Sequence, residues 1–242
     1  DNELSVLQGL KNAKDAGAFD NIVLIINQAT CVSEDLPEIM ETYGIGACLW
    51  IGYPGSAGLT AVAKIMVGET NPSGKLPDMW YVSANAHPSY KHYAEWSNVR
   101  MQEGMYHGYR YEETRYEDYV TGRSNTGNYI YGDNVSFTFG YGLSYTTFDY
   151  EFVSLSQDPD PDKNYERYTD DDGNRIAVPA AEKRADGDDM IAEVKVTNTG
   201  DKAGKGVVQI YVQKPYTTDD VADGVEEPSV ELPAYQKNQT EI

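Results

Sequence analysis

Asn21-Ile-Val-Leu-Ile-Ile-Asn27 is an unbroken apolar run of strand length, closed by asparagine at both ends. A strand with one wet face alternates polar and apolar side chains, so a run without polar interruption fits a strand covered on both faces, as in a parallel sheet. Ala47-Cys-Leu-Trp-Ile51 repeats the pattern. Between them Ser33 precedes the acidic pair Glu34 and Asp35, a sound helix start, and that helix is predicted to run to about Tyr43. Upstream, residues 2–16 place Leu4, Leu7 and Leu10, with Val6, Ala13 and Ala16, near helical spacing, and Gly17 fits a C-cap. Downstream, Gly52-Tyr-Pro-Gly55 breaks the second strand and residues 57–67 form a helix that Gly68 ends. Helix, strand, helix, strand, helix is the layering of an α/β sandwich, three layers deep as α/β/α. The first of these elements is already a helix, and two buried parallel strands make a poor sheet by themselves. Residues 1–147 are therefore expected to be a partial α/β sandwich whose earlier strands lie outside the chain.

From about residue 71 the character changes. Asn71-Pro-Ser-Gly-Lys-Leu-Pro77 is turn-rich, a long aromatic segment follows, residues 105–111 read as extended, and 121–134 read as loop. Phe137-Thr-Phe-Gly-Tyr-Gly-Leu-Ser-Tyr145 interleaves aromatic rings with glycine, which permits close backbone approach. A boundary falls near 147–150, after which Phe148-Asp-Tyr-Glu-Phe-Val153 alternates like a strand. Residues 157–189 are acidic and poor in core candidates, and read as a long loop or insertion. Met190-Ile-Ala-Glu-Val-Lys-Val196 and Gly206-Val-Val-Gln-Ile-Tyr-Val212 are strands joined by Asn198-Thr-Gly-Asp-Lys202, good turn chemistry for an antiparallel start. A β-sandwich of this kind needs about seven strands. Three or four are countable before Ile242, so 148–242 is expected to be a partial all-β domain.

Composition narrows the function classes. Thirty-nine acidic side chains against nineteen basic give a net charge of −20 over 242 residues. Such a surface repels nucleic-acid backbones and anionic leaflets, so neither nucleic acid nor membrane is an expected partner. No stretch approaches the roughly 18–20 apolar residues of a membrane span. The start, DNELSVLQGL, lacks the pattern of a signal peptide, and compartment stays open between cytoplasmic and secreted. Twenty tyrosines against five phenylalanines suit wet, sugar-facing or domain-facing surfaces, although tyrosine is equally a good strand residue. Cys31 and Cys48, the only cysteines, sit in a core-like context and read as buried free thiols.

Catalytic motifs are scarce. His87, His92 and His107 are scattered, without metal-ligand spacing, and read as ordinary histidines. There is no GxSxG elbow, P-loop or dinucleotide fingerprint, and no cofactor is expected. Glycoside hydrolysis needs two carboxylates flanking the scissile bond, but among 39 acids their presence says little. Glu103 stands in an aromatic setting of the kind that raises a carboxyl pKa, and Glu95 lies beside Trp96; for both, a structural role outweighs catalysis. Arg110 between Tyr109 and Tyr111 could clamp a carboxylate or stack on a ring. An internal ion pair with a nearby glutamate is the plainer reading.

Taken together, these segments resemble the C-terminal regions of family 3 glycoside hydrolases. Trp50-Ile-Gly-Tyr-Pro-Gly55 with the following helix and Asn71-Pro-Ser-Gly-Lys-Leu-Pro77 is similar to that family's YPG-helix-NPSGKLP stretch. Glu103-Gly-Met-Tyr-His-Gly-Tyr-Arg-Tyr111 resembles its EGIYVGYRYY strand, and Phe137–Phe148 its FPFGYGLSYTTF junction between sandwich and fibronectin-III-like domain. Val194-Lys-Val-Thr-Asn-Thr-Gly200 with Val207–Val212 completes four motifs in order. The resemblance implies a partial fibronectin-III-like, immunoglobulin-like sandwich for 148–242, with the acidic insertion at about 157–189. It also implies a fragment of a retaining β-glycosidase, foremost a β-glucosidase, acting on β-linked oligosaccharides or glucosides. The family's nucleophilic aspartate belongs to a (β/α)8 barrel, here a missing partner domain, and its acid/base glutamate to a segment that does not occur in 1–242. Ser56 and Ala57 depart from the family's Gln-Glu after YPG. No catalytic residue is therefore assigned within the chain, which is expected to be inactive in isolation. Tyr106, Tyr109 and Arg110 are the candidates for facing the substrate cleft. The rival class is a stand-alone carbohydrate-binding or adhesive module, and homo-oligomerisation stays open.

Overall fold

The computed structural model describes residues 2–32, 35–92, 97, 102–122, 127–157, 175–179, 190–214 and 216–238. The chain divides into two compact units, each discontinuous in sequence. Unit 1 takes in residues 1–69, 76–104 and 128–141, and unit 2 takes in 70–75, 105–127 and 142–242.

Unit 1 runs α1 (Asn2–Asp15), β1 (Val23–Ile26), α2 (Leu36–Tyr43), β2 (Ala47–Trp50) and α3 (Gly55–Met66), then the short strand β3 (Trp80–Tyr81). β1 and β2 pair in parallel, from Val23 opposite Ala47 to Ile26 opposite Trp50. The α/β alternation is thus as the apolar runs predict. Coverage of both faces is not: Val23 is 39% and Ile25 43% exposed, so that face of β1 carries no full packing layer among the described residues. Helix α2 begins at Leu36, with proline in its first turn, where the missing N–H is least costly; its expected cap Ser33 lies outside the described residues. Its carboxyl end closes on Gly44, in the left-handed region at φ 65°, and Lys14 of α1 donates to the Gly44 carbonyl at 2.6 Å. A cation there complements the negative end of the helix dipole. Buried Met79 and Trp80 carry the chain into β3, which later pairs antiparallel with β4 (Val135–Phe137).

The first helix of unit 2 is α4 (Tyr109–Val120). The extended reading of 105–111 fails here: tyrosines 109 and 111 favour strands, but Glu112, Glu113, Arg115 and Glu117 are helix formers and carry the segment over. The strands are β5 (Phe148–Gln157), β6 (Arg175–Pro179), β7 (Met190–Asn198), β8 (Val207–Val212) and β9 (Glu231–Lys237), with helix α5 (Thr218–Asp223) between the last two. They make two antiparallel sheets, β5-β7-β6 and β8-β9. The stretch 157–189 is therefore not all loop, since β6 pairs along β7 from Arg175 opposite Lys195 to Pro179 opposite Ile191.

The turn chemistry of Asn198–Lys202 serves a crossing between sheets. The turn does not close a hairpin, because β7 and β8 belong to different sheets. Val196 of β7 and Val208 of β8 meet in the core with Ala234 of β9, flanked by Phe148, Val194 and Ile210. The hydrophobic faces of the two sheets need each other more than the strands need a shared ladder. Asn198 shapes the crossing by accepting from Gly200 N–H at 3.0 Å and donating to the Lys202 carbonyl at 2.8 Å, and Thr146 Oγ1 donates to its Oδ1 at 2.6 Å.

Asn71 ties three parts of unit 2 together. Its Oδ1 accepts from Ser144 Oγ at 2.9 Å and from Tyr145 N–H at 2.7 Å, while its Nδ2 donates to the Ala203 carbonyl at 2.9 Å. Gly204 is small for the same reason: a Cβ there would stand 2.6 Å from Asn71 Nδ2. Asn71→Ala is expected to cost about 1–3 kcal/mol, below the full sum of three net hydrogen-bond values of roughly 0.5–1.5 kcal/mol each because two of the three bonds are exposed to water. Urea unfolding measures this, and an unchanged midpoint would show that solvent replaces all three bonds.

Candidate functional site

Residues that the sequence singles out gather at the amino end of α4. The helix starts at Gly108, whose φ of 58° and ψ of −132° form a combination open to glycine and strained for any other residue. Tyr109 then meets the β8–β9 pair: its hydroxyl accepts the Leu232 N–H at 2.9 Å and its ring stands edge-on to Tyr211, centroids 6.0 Å apart. Arg110 Nη2 lies 3.8 Å from Glu231 Oε1, and its guanidinium carbon 5.9 Å from the centre of the Tyr109 ring. Thr114 Oγ1 accepts from Ser229 N–H at 2.9 Å and donates to the Arg110 carbonyl at 2.7 Å. Further along, Gln213 donates to Glu117 at 2.9 Å. Glu231 also lies 3.8 Å from Lys214, so this carboxylate sits between two cations. Both ion pairs are partly exposed and each contributes little alone.

Burial is the first cause that pushes the Tyr211 hydroxyl above its ordinary pKa, followed by Tyr109 and Glu113. A neutral phenol suits a seat built from ring contacts and backbone donors. Tyr106 is half-buried in the turn ahead of the helix. The structure thus brings Tyr109 and Arg110 together on β9, with Tyr106 in the adjoining turn. The residues that receive them, Tyr211, Glu231 and Leu232, were not anticipated. Tyr211 carries only a strand signal, and the Leu232 contribution is a backbone N–H that no side-chain pattern announces.

In unit 1 the carboxyl ends of β1 and β2 form a second cluster, at the position where open α/β sheets receive ligands. Trp50 Nε1 donates to the Gln28 carbonyl at 2.6 Å, and the Gln28 amide turns back onto the carbonyls of Thr30 and Cys31. Trp50 stands edge-on to Trp80 at 5.6 Å, and Trp80 edge-on to Phe137 at 6.2 Å. Tyr53, just past β2, is exposed. Both cysteines are free as expected, but neither is core: Cys31 is exposed and Cys48 half-buried. Burial pushes the Cys48 thiol up to about 11, which keeps it protonated and unreactive near neutrality.

Glu103 is half-buried near the end of the 76–104 segment of unit 1, and Glu95 lies outside the described residues. His87 Nδ1 accepts from Ser89 N–H at 3.1 Å in a local turn. Among the described residues no group of His, Cys, Asp or Glu side chains is arranged to hold a metal ion, and no helix is long and apolar enough to cross a membrane.

Known proteins resemble this chain in sequence and fold. The family model of the glycosyl hydrolase family 3 C-terminal domain matches residues 7–145. Probable beta-glucosidase I of Aspergillus clavatus is 32% identical over 221 residues, covering 91% of this chain and 21% of that protein. A beta-glucosidase crystal structure from Paenibacillus barengoltzii superposes with a TM-score of 0.65 at 26% identity, over 96% of this chain and 20% of its own. The beta-glucosidase of Kluyveromyces marxianus, solved with glucose, gives 0.58 at 27% identity, over 89% and 20% respectively. This chain spans about a fifth of the length of the relatives it matches. With more than half of its residues inside the family match, the chain belongs to glycosyl hydrolase family 3 and carries that family's C-terminal domain.

Proposed function

We propose that this chain is part of a retaining β-glycosidase, a β-glucosidase that removes terminal non-reducing β-D-glucosyl residues by double displacement. In such a reaction one carboxylate forms a glycosyl–enzyme intermediate and a second acts as acid and then as base. The nucleophile, an aspartate of a (β/α)8 barrel in the same protein, lies outside these residues, and so does the acid/base glutamate. The chain supplies scaffold and one wall of the cleft, with Tyr106, Tyr109 and Arg110 on that wall. Residues 1–147 form part of a three-layer α/β sandwich and 148–242 part of a fibronectin-III-like sandwich. The parallel pair β1–β2 supports the first assignment, and the two antiparallel sheets around Val196 and Val208 support the second.

The observation that carries the reading is the 32% identity over 221 residues to a probable beta-glucosidase. The test compares purified residues 1–242 with the full-length protein on an aryl-β-glucoside, following the first-formed anomer by NMR. The expected result is release by the full-length protein with retention, and none by 1–242 alone. Robust turnover by 1–242 would place the nucleophile inside the chain and overturn the proposal, as would inversion. If neither hydrolyses the glucoside while calorimetry finds cello-oligosaccharide binding by 1–242 alone, the chain is a stand-alone carbohydrate-binding or adhesive module.

A further inference from the structure

Along β9, buried Ala234 and Gln236 alternate with exposed Tyr235 and Lys237, so the latter two face away from the core around Val196 and Val208. Gln209 of β8 stands opposite Tyr235, and Val207 opposite Lys237, each on the same face as its partner. Lys205 lies two residues ahead of Val207. Asn238 N–H donates to the Gly206 carbonyl at 3.2 Å, which carries the pairing past Lys237 and sets Lys205 beside it on that face. Lys75 comes from the segment 70–75 of the same unit, where its ammonium donates to the Gly142 carbonyl.

The three lysines feel one another. Partial desolvation, and then the charge of Lys237, holds the Lys75 ammonium below its ordinary pKa. Desolvation, and then Lys205, does the same at Lys237. Gathering like charges costs free energy, and among the described residues none of the three enters an ion pair. That is notable in a chain of net charge −20. Glu231, at the other end of β9, is already shared between Arg110 and Lys214.

We propose that this face of unit 2 binds an acidic carbohydrate, with the sugar ring on Tyr235, a hydroxyl on Gln209 and the uronic carboxylate among Lys75, Lys205 and Lys237. The lysines alone would suit any small anion. The 70% exposed tyrosine ring beside them offers an apolar face to a pyranose, and the amide opposite it both donates and accepts. Lys75 has two donors left after its bond to Gly142. The net negative charge of the rest of the chain favours a small ligand that reaches the lysines locally over an extended anionic surface such as a membrane or a nucleic acid.

The experiment titrates the full-length protein calorimetrically at low salt with trigalacturonate, with triglucuronate, with the methyl esters of both, and with inorganic phosphate. At least one acid is expected to bind, its ester about ten-fold or more weakly, and physiological salt should weaken the acid selectively. Lys205→Gln and Lys237→Gln should each weaken the acid about two- to five-fold, the size of an exposed ion pair, while Lys237→Arg keeps it. Tyr235→Ala should lower affinity for the acidic sugar and leave phosphate unaffected. Absence of binding by both acids would overturn the proposal, as would equal affinity for acid and ester. Full affinity in the Lys205→Gln, Lys237→Gln double variant would place the ligand elsewhere. Phosphate bound as tightly as the acids, with Tyr235→Ala neutral, would leave a plain anion site and remove the sugar. The comparison of acid with ester needs no variant, so it stands even where a substitution unfolds the protein. Binding is read without turnover, so the β-glucosidase reading and this one succeed or fail separately.

Discussion

Val196→Asp is expected to unfold unit 2 at room temperature. Val196 is 0% exposed and sits at the centre of a small core, against Val208 and Ala234 and flanked by Phe148, Val194 and Ile210. It stands opposite Tyr150 on β5, and a Cβ on Gly206 would come within 3.1 Å of its Cγ1. No room exists for a carboxylate to bring water with it. An unpaired buried charge costs upwards of about 4 kcal/mol, against a total of about 5–15 kcal/mol for an ordinary domain. Val196→Ala calibrates the site: losing two methyl groups in a packed core costs about 2 kcal/mol and leaves the fold intact. The two variants are compared by methyl NMR and urea unfolding. Native dispersion in Val196→Asp would show that the sheets do not close around this residue.

The same valine explains what the sequence could and could not disclose. Asn21–Asn27 and Ala47–Ile51 were legible because a strand's apolar run is local, and their partnership as β1 and β2 followed from the helix between them. The alternating runs of β5, β7 and β8 were legible for a similar reason. How β7 connects to β8 was not, since Asn198-Thr-Gly-Asp-Lys202 has the chemistry of a tight turn whether it closes a hairpin or crosses between sheets. What decides is the contact of Val196 with Val208, a property of two faces rather than of the turn. Helix α4 was missed because tyrosine's strand preference dominates over a window of seven residues. Its stabilising partners at Ser229, Glu231 and Leu232 lie more than a hundred residues further along. Tyr109 and Arg110 were marked through resemblance, yet their seat on β9 could only come from the fold. Glycine at position 142 was legible as close approach in general terms, but not against which neighbour.

That neighbour makes the second large effect specific. Gly142→Ala is expected to destabilise unit 2 by roughly 2–3 kcal/mol, the upper part of the range for overpacking, although it adds one methyl group. A Cβ at 142 would stand 2.3 Å from the Gly74 carbonyl oxygen and 3.1 Å from Lys75 Cδ. The nearer atom is backbone and cannot rotate away, so one of the two segments has to shift by about an ångström. Neither moves freely. The Lys75 ammonium donates to the Gly142 carbonyl, and Asn71 holds Ser144 and Tyr145 on the following residues. Displacing residue 142 therefore loosens the whole junction between 70–75 and 142–147. Gly74→Ala is the matched control, because a Cβ there meets nothing within 4 Å, and its expected change lies within about 0.5 kcal/mol. Urea midpoints and amide exchange at Tyr145 read both variants. Equal losses at the two positions would trace the cost to backbone freedom of glycine in general. A loss confined to Gly142→Ala, with faster exchange at Tyr145, would place it in the contact between two backbones that only a missing side chain allows.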